Sequence, residues 1–147
     1  ILFLINLIVC SNEQTCSYQF YRISHGMKIL HIEDTPEISW ISAEILSGKN
    51  YDFDSILDGW TGLELAVYKD SGWLLLDICM PKYSGVDFLL NLKSRKHSEL
   101  SKVVIVSGLY MSSVQEEELL KLGIRTVLKK LISVQTFSNW AENYTLT

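Results

Sequence analysis

The chain has 147 residues, of which 48% are apolar and 20% charged, with two prolines and eight glycines. This composition excludes a disordered, collagenous or disulfide-scaffold protein, and the length predicts a single domain. The formal net charge is −4 and the basic residues are scattered along the chain, so we expect no nucleic-acid partner.

Residues 1–26 differ in composition from the rest of the chain. They carry only two charged side chains, Glu13 and Arg22, and open with a largely apolar run at 1–9. That run is far shorter than the roughly 20 residues of a membrane-spanning helix, and the basic region and cleavage site of a complete signal peptide are missing. Three interpretations stay open: translated sequence upstream of a start at Met27, a clipped membrane or secretion segment, or an extra packed element. We expect the functional domain to be residues 27–147, without a membrane partner.

The three cysteines, Cys10, Cys16 and Cys79, form no CxxC pair. An odd number without metal-ligand spacing argues against a disulfide framework and against a zinc site. We therefore expect free thiols in a reducing, cytoplasmic compartment.

From Met27 onward, short apolar runs alternate with longer amphipathic ones. Strands are predicted at residues 28–32, 51–56, 73–78, 103–106 and 126–128. The runs 73–76 and 103–106 are continuously apolar, which is typical of strands in a parallel sheet covered by helices on both faces.

Helical periodicity fills the segments between these strands. The first helix is predicted to start with Thr35 as cap and Pro36 at its first position, and to end near Gly48. The fourth is predicted from about Ser112 to Leu122. Apolar residues at helical spacing predict the buried faces of the other helices. They are Ile38, Ile41 and Ile45 in the first helix; Leu63, Ala66 and Val67 in the second; Val86, Leu89 and Leu90 in the third; and Val134, Phe137, Ala141 and Tyr144 in the fifth. Five strands alternating with five helices predict a doubly wound α/β fold.

Ligands of such folds bind beyond the carboxyl ends of the strands, where the strand order reverses. Polar residues lie at the carboxyl ends of four of the predicted strands. They are Glu33 and Asp34 after the first, Asp77 at the end of the third, Ser107 at the end of the fourth, and Lys129 and Lys130 at the end of the fifth.

Three neighbouring carboxylates cannot all stay ionised without a compensating charge, because like charges raise each other's pKa. Carboxylate ligands without His or Cys suit Mg²⁺. A lysine and a hydroxyl beside the metal would meet the needs of a transferring phosphoryl group, for which positioning and charge neutralisation dominate. Asp77 would then be the nucleophile that forms an acyl phosphate.

Five segments in order resemble the receiver domains of two-component response regulators, the chemotaxis receivers included. They are residues 28–34 with the acidic pair; Asp58-Gly59; residues 75–81 around Asp77, with Gly85 following; residues 104–108 with Ser107; and Gly123 with Lys130 seven residues later. The last spacing favours Lys130 over Lys129. The resemblance implies a flavodoxin-like, five-stranded parallel sheet of order 2-1-3-4-5 with five flanking helices.

The resemblance also implies roles for the residues at this edge. Asp77 would accept a phosphoryl group from a sensor histidine kinase or phosphotransfer protein and lose it slowly by self-hydrolysis. The Mg²⁺ ligands would be Glu33, Asp34, Asp77 and the backbone carbonyl of Cys79, while Ser107 and Lys130 would contact the phosphoryl oxygens. Phosphorylation would change the face formed by the fourth helix, fifth strand and fifth helix, which binds a downstream protein or a second copy. We expect either a stand-alone receiver or one cut from a longer chain.

Two residues depart from the family pattern. Leu131 stands where the family usually has a proline after the lysine. A cis peptide bond before a non-proline residue costs roughly 3 kcal/mol, so we expect a trans bond between Lys130 and Leu131. That expectation puts the reach of Lys130 toward Asp77 in question. Val127 stands where the family often has a mobile Tyr or Phe. Both departures motivate an alternative, a receiver-like interaction module that works without phosphorylation. An aspartyl phosphatase of another fold is disfavoured, since its second aspartate would fall at Cys79.

Overall fold

The computed structural model describes residues 27–47 and 51–130, together with positions 139 and 143. The strands are β1 (Lys28–Ile32), β2 (Asp52–Ile56), β3 (Trp73–Leu76), β4 (Val103–Ser107) and β5 (Thr126–Lys129). The helices are α1 (Pro36–Ser47), α2 (Gly59–Tyr68), α3 (Gly85–Lys96) and α4 (Ser113–Lys121), and a 3₁₀ helix, His97–Lys102, joins α3 to β4. The leader at 1–26 and the predicted fifth helix with Val134, Phe137, Ala141 and Tyr144 lie outside the described residues.

All five strands run parallel in one sheet of order β2-β1-β3-β4-β5. This order confirms the predicted doubly wound fold, and its reversal point lies between β1 and β3. There the register pairs Ile32 with Leu76, and the backbone N–H of Asp77 donates to Ile32 O at 2.9 Å. Glu33 and Asp77 therefore leave the sheet side by side.

Helices cover both faces of the sheet. On one face, Leu74 and Leu76 of β3 belong to a buried cluster with residues of α2 and α3. On the other, Leu75 packs with Leu46 of α1. Burial on both faces explains the continuously apolar sequence of β3.

The third strand is shorter than predicted. It ends at Leu76 rather than at Ile78, because Ile78 O accepts the N–H of Gly85 at 3.1 Å, in the turn that leads to α3. Asp77 therefore lies in a loop at the end of the strand.

Two predicted helix faces were partly wrong. Ile41 is 51% exposed, and α1 instead buries Ser39 and Leu46. Val86 and Leu90 are 44% and 52% exposed, since they lie opposite the side of α3 that meets the sheet. The residues that α3 buries on that side are Phe88, Leu89 and Leu92.

Within the described part of the chain, no helix is both long and apolar enough to span a membrane.

Candidate functional site

Three carboxylates converge at the carboxyl ends of β1 and β3. One oxygen from each of Glu33, Asp34 and Asp77 lies within 4.8 Å of the other two. Glu33 is fully buried, Asp77 is 3% exposed, and Asp34 is half-buried. Carboxylates this close repel one another, so the cluster requires positive charge.

Lys130, one residue beyond β5, provides part of that charge. Its Nζ lies 2.8 Å from Asp77 Oδ2 and 2.7 Å from Glu33 Oε2. Burial alone would lower the pKa of Lys130, but its hydrogen bonds to the two carboxylates and their charges raise it. Lys130 thus reaches Asp77 with Leu131 as the next residue, although Leu131 itself lies outside the described residues.

Lys129 has a different neighbour. Its Nζ lies 5.5 Å from the centre of the Tyr110 ring, outside the carboxylate cluster. Of the two lysines, Lys130 is therefore the one that the fold brings to Asp77.

The cluster retains uncompensated negative charge. Three carboxylates against one ammonium leave two formal negative charges among the described side chains. The buried Oε2 of Glu33 has an ion pair with Lys130 but no well-oriented hydrogen bond from a described residue. Carboxylate oxygens in this arrangement fit a hard divalent cation such as Mg²⁺.

The loop after β3 orients Asp77. The backbone N–H of Cys79 donates to Asp77 Oδ1 at 3.0 Å, which leaves Oδ2 to Lys130. The Cys79 thiol is exposed. Metal binding by the Cys79 carbonyl stays a prediction.

Gly85 allows α3 to approach this loop closely. A Cβ at Gly85 would lie 2.5 Å from Ile78 Cα and 2.7 Å from Asp77 O, which is too close for any side chain. Ser84 then caps the helix, its Oγ accepting the N–H of Asp87 at 3.1 Å. The glycine that follows the aspartate motif is thus explained by backbone packing against Asp77.

Ser107 ends β4 and is 1% exposed. Its Oγ accepts the N–H of Leu109 at 3.1 Å and lies 3.9 Å from Cys79 Sγ. Its carbonyl accepts the N–H of Lys130 at 2.6 Å. Ser107 is therefore connected both to the loop after Asp77 and to the lysine.

The sequence assigned no role to His31, which is 2% exposed on β1, two residues before Glu33. Its Nδ1 lies 3.2 Å from Ser55 Oγ, which is in turn 2.5 Å from Ser39 Oγ of α1. Burial and the nearby positive charge of Lys130 lower the pKa of His31 to about 4, although the negative charge of Asp77 partly opposes this shift. The imidazole is therefore neutral near pH 7. A histidine inside an apolar strand was the one sequence signal for this buried network.

The fold and the cluster together define a receiver-type α/β domain. The family model described as "Response regulator receiver domain" matches residues 29–141, which is more than half of the chain. The chain belongs to this family and is a receiver domain of a two-component response regulator.

Individual relatives agree with that assignment. The transcriptional regulatory protein HprR of Escherichia coli strain K12 is 36% identical over 72 residues. The match covers 49% of this chain and 32% of HprR, so it spans about a third of that relative's length.

Two solved structures show the same fold at low sequence identity. The chemotaxis protein CheY4 of Vibrio cholerae superposes with a TM-score of 0.71 at 18% identity, covering 80% of this chain and 98% of CheY4. The receiver domain of the sensor histidine kinase PA1611 of Pseudomonas aeruginosa PAO1 gives 0.71 at 16% identity, covering 83% and 99%. The latter structure is described as having a magnesium ion coordinated in its active-site cleft.

Proposed function

We propose that the chain is a phosphoacceptor, in which Asp77 takes a phosphoryl group from a phosphohistidine on a sensor histidine kinase or phosphotransfer protein. One observation carries the proposal. Asp77 lies 3% exposed at the end of β3, with the Lys130 ammonium at 2.8 Å and two further carboxylates beside it.

The transfer replaces one bond to phosphorus with another. A carboxylate oxygen of Asp77 bonds to phosphorus while the N–P bond of the phosphohistidine breaks, and the departing imidazole nitrogen keeps the electron pair. Lys130 attracts the phosphoryl oxygens, and Ser107 is suited to donate its hydroxyl proton to one of them. The Cys79 N–H holds the Asp77 carboxylate in one orientation.

Glu33, Asp34, Asp77 and the Cys79 carbonyl would hold Mg²⁺. When bound, the ion neutralises charge on the phosphoryl oxygens and orients them. The two uncompensated negative charges of the cluster support this assignment, as does the magnesium described for the PA1611 receiver.

The remaining expectations belong to the same proposal. The receiver domain spans residues 27–147, acts in the cytoplasm, and passes its signal to a downstream protein through α4, β5 and the predicted fifth helix. The same face could form a homodimer.

Labelling of the full chain by acetyl phosphate with Mg²⁺ tests the phosphoacceptor. We expect labelling of the wild type and none of Asp77→Asn. Asp54→Asn, at an exposed position of β2, is the matched control and keeps its labelling. Labelling that survives in Asp77→Asn would contradict the proposal.

A receiver-like module that works without phosphorylation is the second candidate. Val127 favours it, since this half-buried residue packs against the core where a mobile aromatic ring is often found in the family. Binding of beryllofluoride in the presence of Mg²⁺ distinguishes the phosphoacceptor from the interaction module. A functional acceptor binds it and changes the tryptophan fluorescence, whereas a chain that neither binds it nor becomes labelled is an interaction module.

A further inference from the structure

Two neighbouring strands end in the same local arrangement at the carboxylate cluster. Glu33 and Asp77 are each the first residue beyond a strand, and both are almost fully buried. The N–H of Thr35 donates to Glu33 Oε1 at 3.3 Å, and Glu33 Oε2 lies 2.7 Å from Lys130 Nζ. In the same way, the N–H of Cys79 donates to Asp77 Oδ1, and Asp77 Oδ2 faces the lysine. Each carboxylate is therefore contacted at both of its oxygens.

Backbone hydrogen bonds fix the chain on both sides of Thr35. Before it, the N–H of Glu33 donates to Ile56 O at 3.1 Å, which continues the pairing with β2 one residue beyond β1. After it, Thr35 O accepts the N–H of Ser39 at 3.0 Å, in the first turn of α1. Pro36, the next residue, restricts Thr35 to extended conformations. The N–H donor is thus held between the end of β1 and the start of α1.

The Glu33 carboxylate depends on this donor for its orientation. A glutamate side chain has one more rotatable bond than an aspartate, so more contacts are needed to hold it in one arrangement. Lys130 contacts only Oε2, and the same ammonium is shared with Asp77 Oδ2 at 2.8 Å. Hydrogen bonds that orient a metal-binding carboxylate are typically worth about 10- to 100-fold in metal affinity.

We propose that Thr35 is a positioning residue, whose backbone N–H orients the Glu33 carboxylate for a divalent cation bound with Asp34 and Asp77. This inference rests on the magnesium site of the proposed function. It gives the turn between β1 and α1 a part in setting the cation affinity. The Thr35 side chain has no part in it, so the residue can be replaced by any other that keeps the N–H.

Titration of the full chain with Mg²⁺, followed by the amide NMR shifts of residues 77–79, measures the dissociation constant. Thr35→Pro removes the N–H and should weaken binding about tenfold. Thr35→Ala keeps the N–H and should bind as the wild type does. In a Glu33→Ala background, Thr35→Pro should have no effect, because the accepting oxygen is gone. This comparison excludes an effect through Asp34, which directly precedes the new proline.

Hydrogen exchange of the Thr35 amide, measured without metal, tests the contact itself and does not require Thr35→Pro to fold. The amide should exchange faster in Glu33→Ala than in the wild type. Unchanged exchange, an equal loss of affinity in Thr35→Ala, or an equal effect of Thr35→Pro in both backgrounds would overturn the proposal. A wild type that does not bind Mg²⁺ would contradict the magnesium site and this inference together. A wild type that binds Mg²⁺ no more tightly than a folded Thr35→Pro overturns this inference alone.

Discussion

The two ends of the sheet both bury a carboxylate beside lysine side chains, but with different charge balance. At the amino ends of the strands, Glu99 is 4% exposed and lies 3.3 Å from Lys96 Nζ and 3.0 Å from Lys102 Nζ. Lys102 also pairs with Asp70 at 3.3 Å. Two carboxylates and two ammonium groups make this cluster neutral.

At the carboxyl ends, Glu33 is buried in the same manner, yet Lys130 is the single described ammonium among three carboxylates. The amino-end cluster has the composition of a structural ion-pair network. The carboxyl-end cluster keeps an excess of negative charge among its described side chains, and such a set of carboxylate oxygens fits a divalent cation. The contrast in charge supports the proposal that the carboxyl end of the sheet is the functional end of the molecule.

Removing Lys130 should have the largest effect. Lys130→Met should slow labelling of Asp77 by about 100- to 1,000-fold, because a preorganised charge directed at the phosphoryl oxygens is lost. Initial labelling rates with acetyl phosphate and Mg²⁺ measure this. Lys102→Met at the opposite end is the control, and a similar loss of labelling there would remove the distinction between the two ends.

Acid should destabilise the chain through His31. Its pKa of about 4 lies below the ordinary value, so the folded state binds the proton less tightly than the unfolded state. The free energy of unfolding is therefore highest above about pH 6.5. It falls by roughly 2–3 kcal/mol as the pH drops toward 4, because the unfolded state then binds the proton more tightly. Urea unfolding across this range measures the effect. The free energy of unfolding should depend less steeply on pH in His31→Asn than in the wild type. His97→Gln, at an exposed position of the amino end, should keep the wild-type slope. Equal slopes for the wild type and His31→Asn would refute the prediction.

Neutralising Glu99 should affect folding and leave the chemistry intact. Glu99→Gln should lower the free energy of unfolding by about 1–2 kcal/mol, since it leaves two partly exposed lysines without their buried partner. Urea unfolding measures the loss, and the labelling rate should stay within about twofold of the wild type. A labelling defect as large as that of Lys130→Met would show that the two ends are coupled.

The smallest expected effect concerns loss of the phosphoryl group. Cys79 and Leu109 carry no group that can orient an attacking water, so the phosphorylated chain should be long-lived. Cys79→Asn, which adds an amide at this exposed position, should shorten the half-life roughly fivefold, or about 1 kcal/mol in barrier. Cys79→Ala, which adds no polar group, should retain the long half-life. A wild-type half-life of seconds would contradict the prediction.

The sequence predicted the sheet and most of the carboxyl-end cluster for a physical reason. Apolar runs of strand length fix where each strand ends, and parallel strands bring those ends together. Glu33, Asp34, Asp77 and Lys130 each lie within two residues of the end of such a run, so their convergence needs no knowledge of side-chain geometry. Their chemical roles stay predictions.

The amino-end cluster was not predictable in this way. The 3₁₀ helix His97–Lys102 has a polar sequence without helical or strand periodicity, so nothing signalled that Glu99 is buried. The pair between Lys102 and Asp70 joins residues 32 positions apart through tertiary packing. The contact between His31 and Ser55 similarly depends on the register of β1 with β2.

Mapping the phosphoryl group on the wild-type chain tests the central claim most directly. After treatment with acetyl phosphate and Mg²⁺, peptide mass spectrometry should locate one phosphoryl group on Asp77, with no labelling when Mg²⁺ is removed by a chelator. A phosphoryl group on another residue, or an unmodified Asp77 in a folded chain with Mg²⁺ present, would contradict the phosphoacceptor assignment.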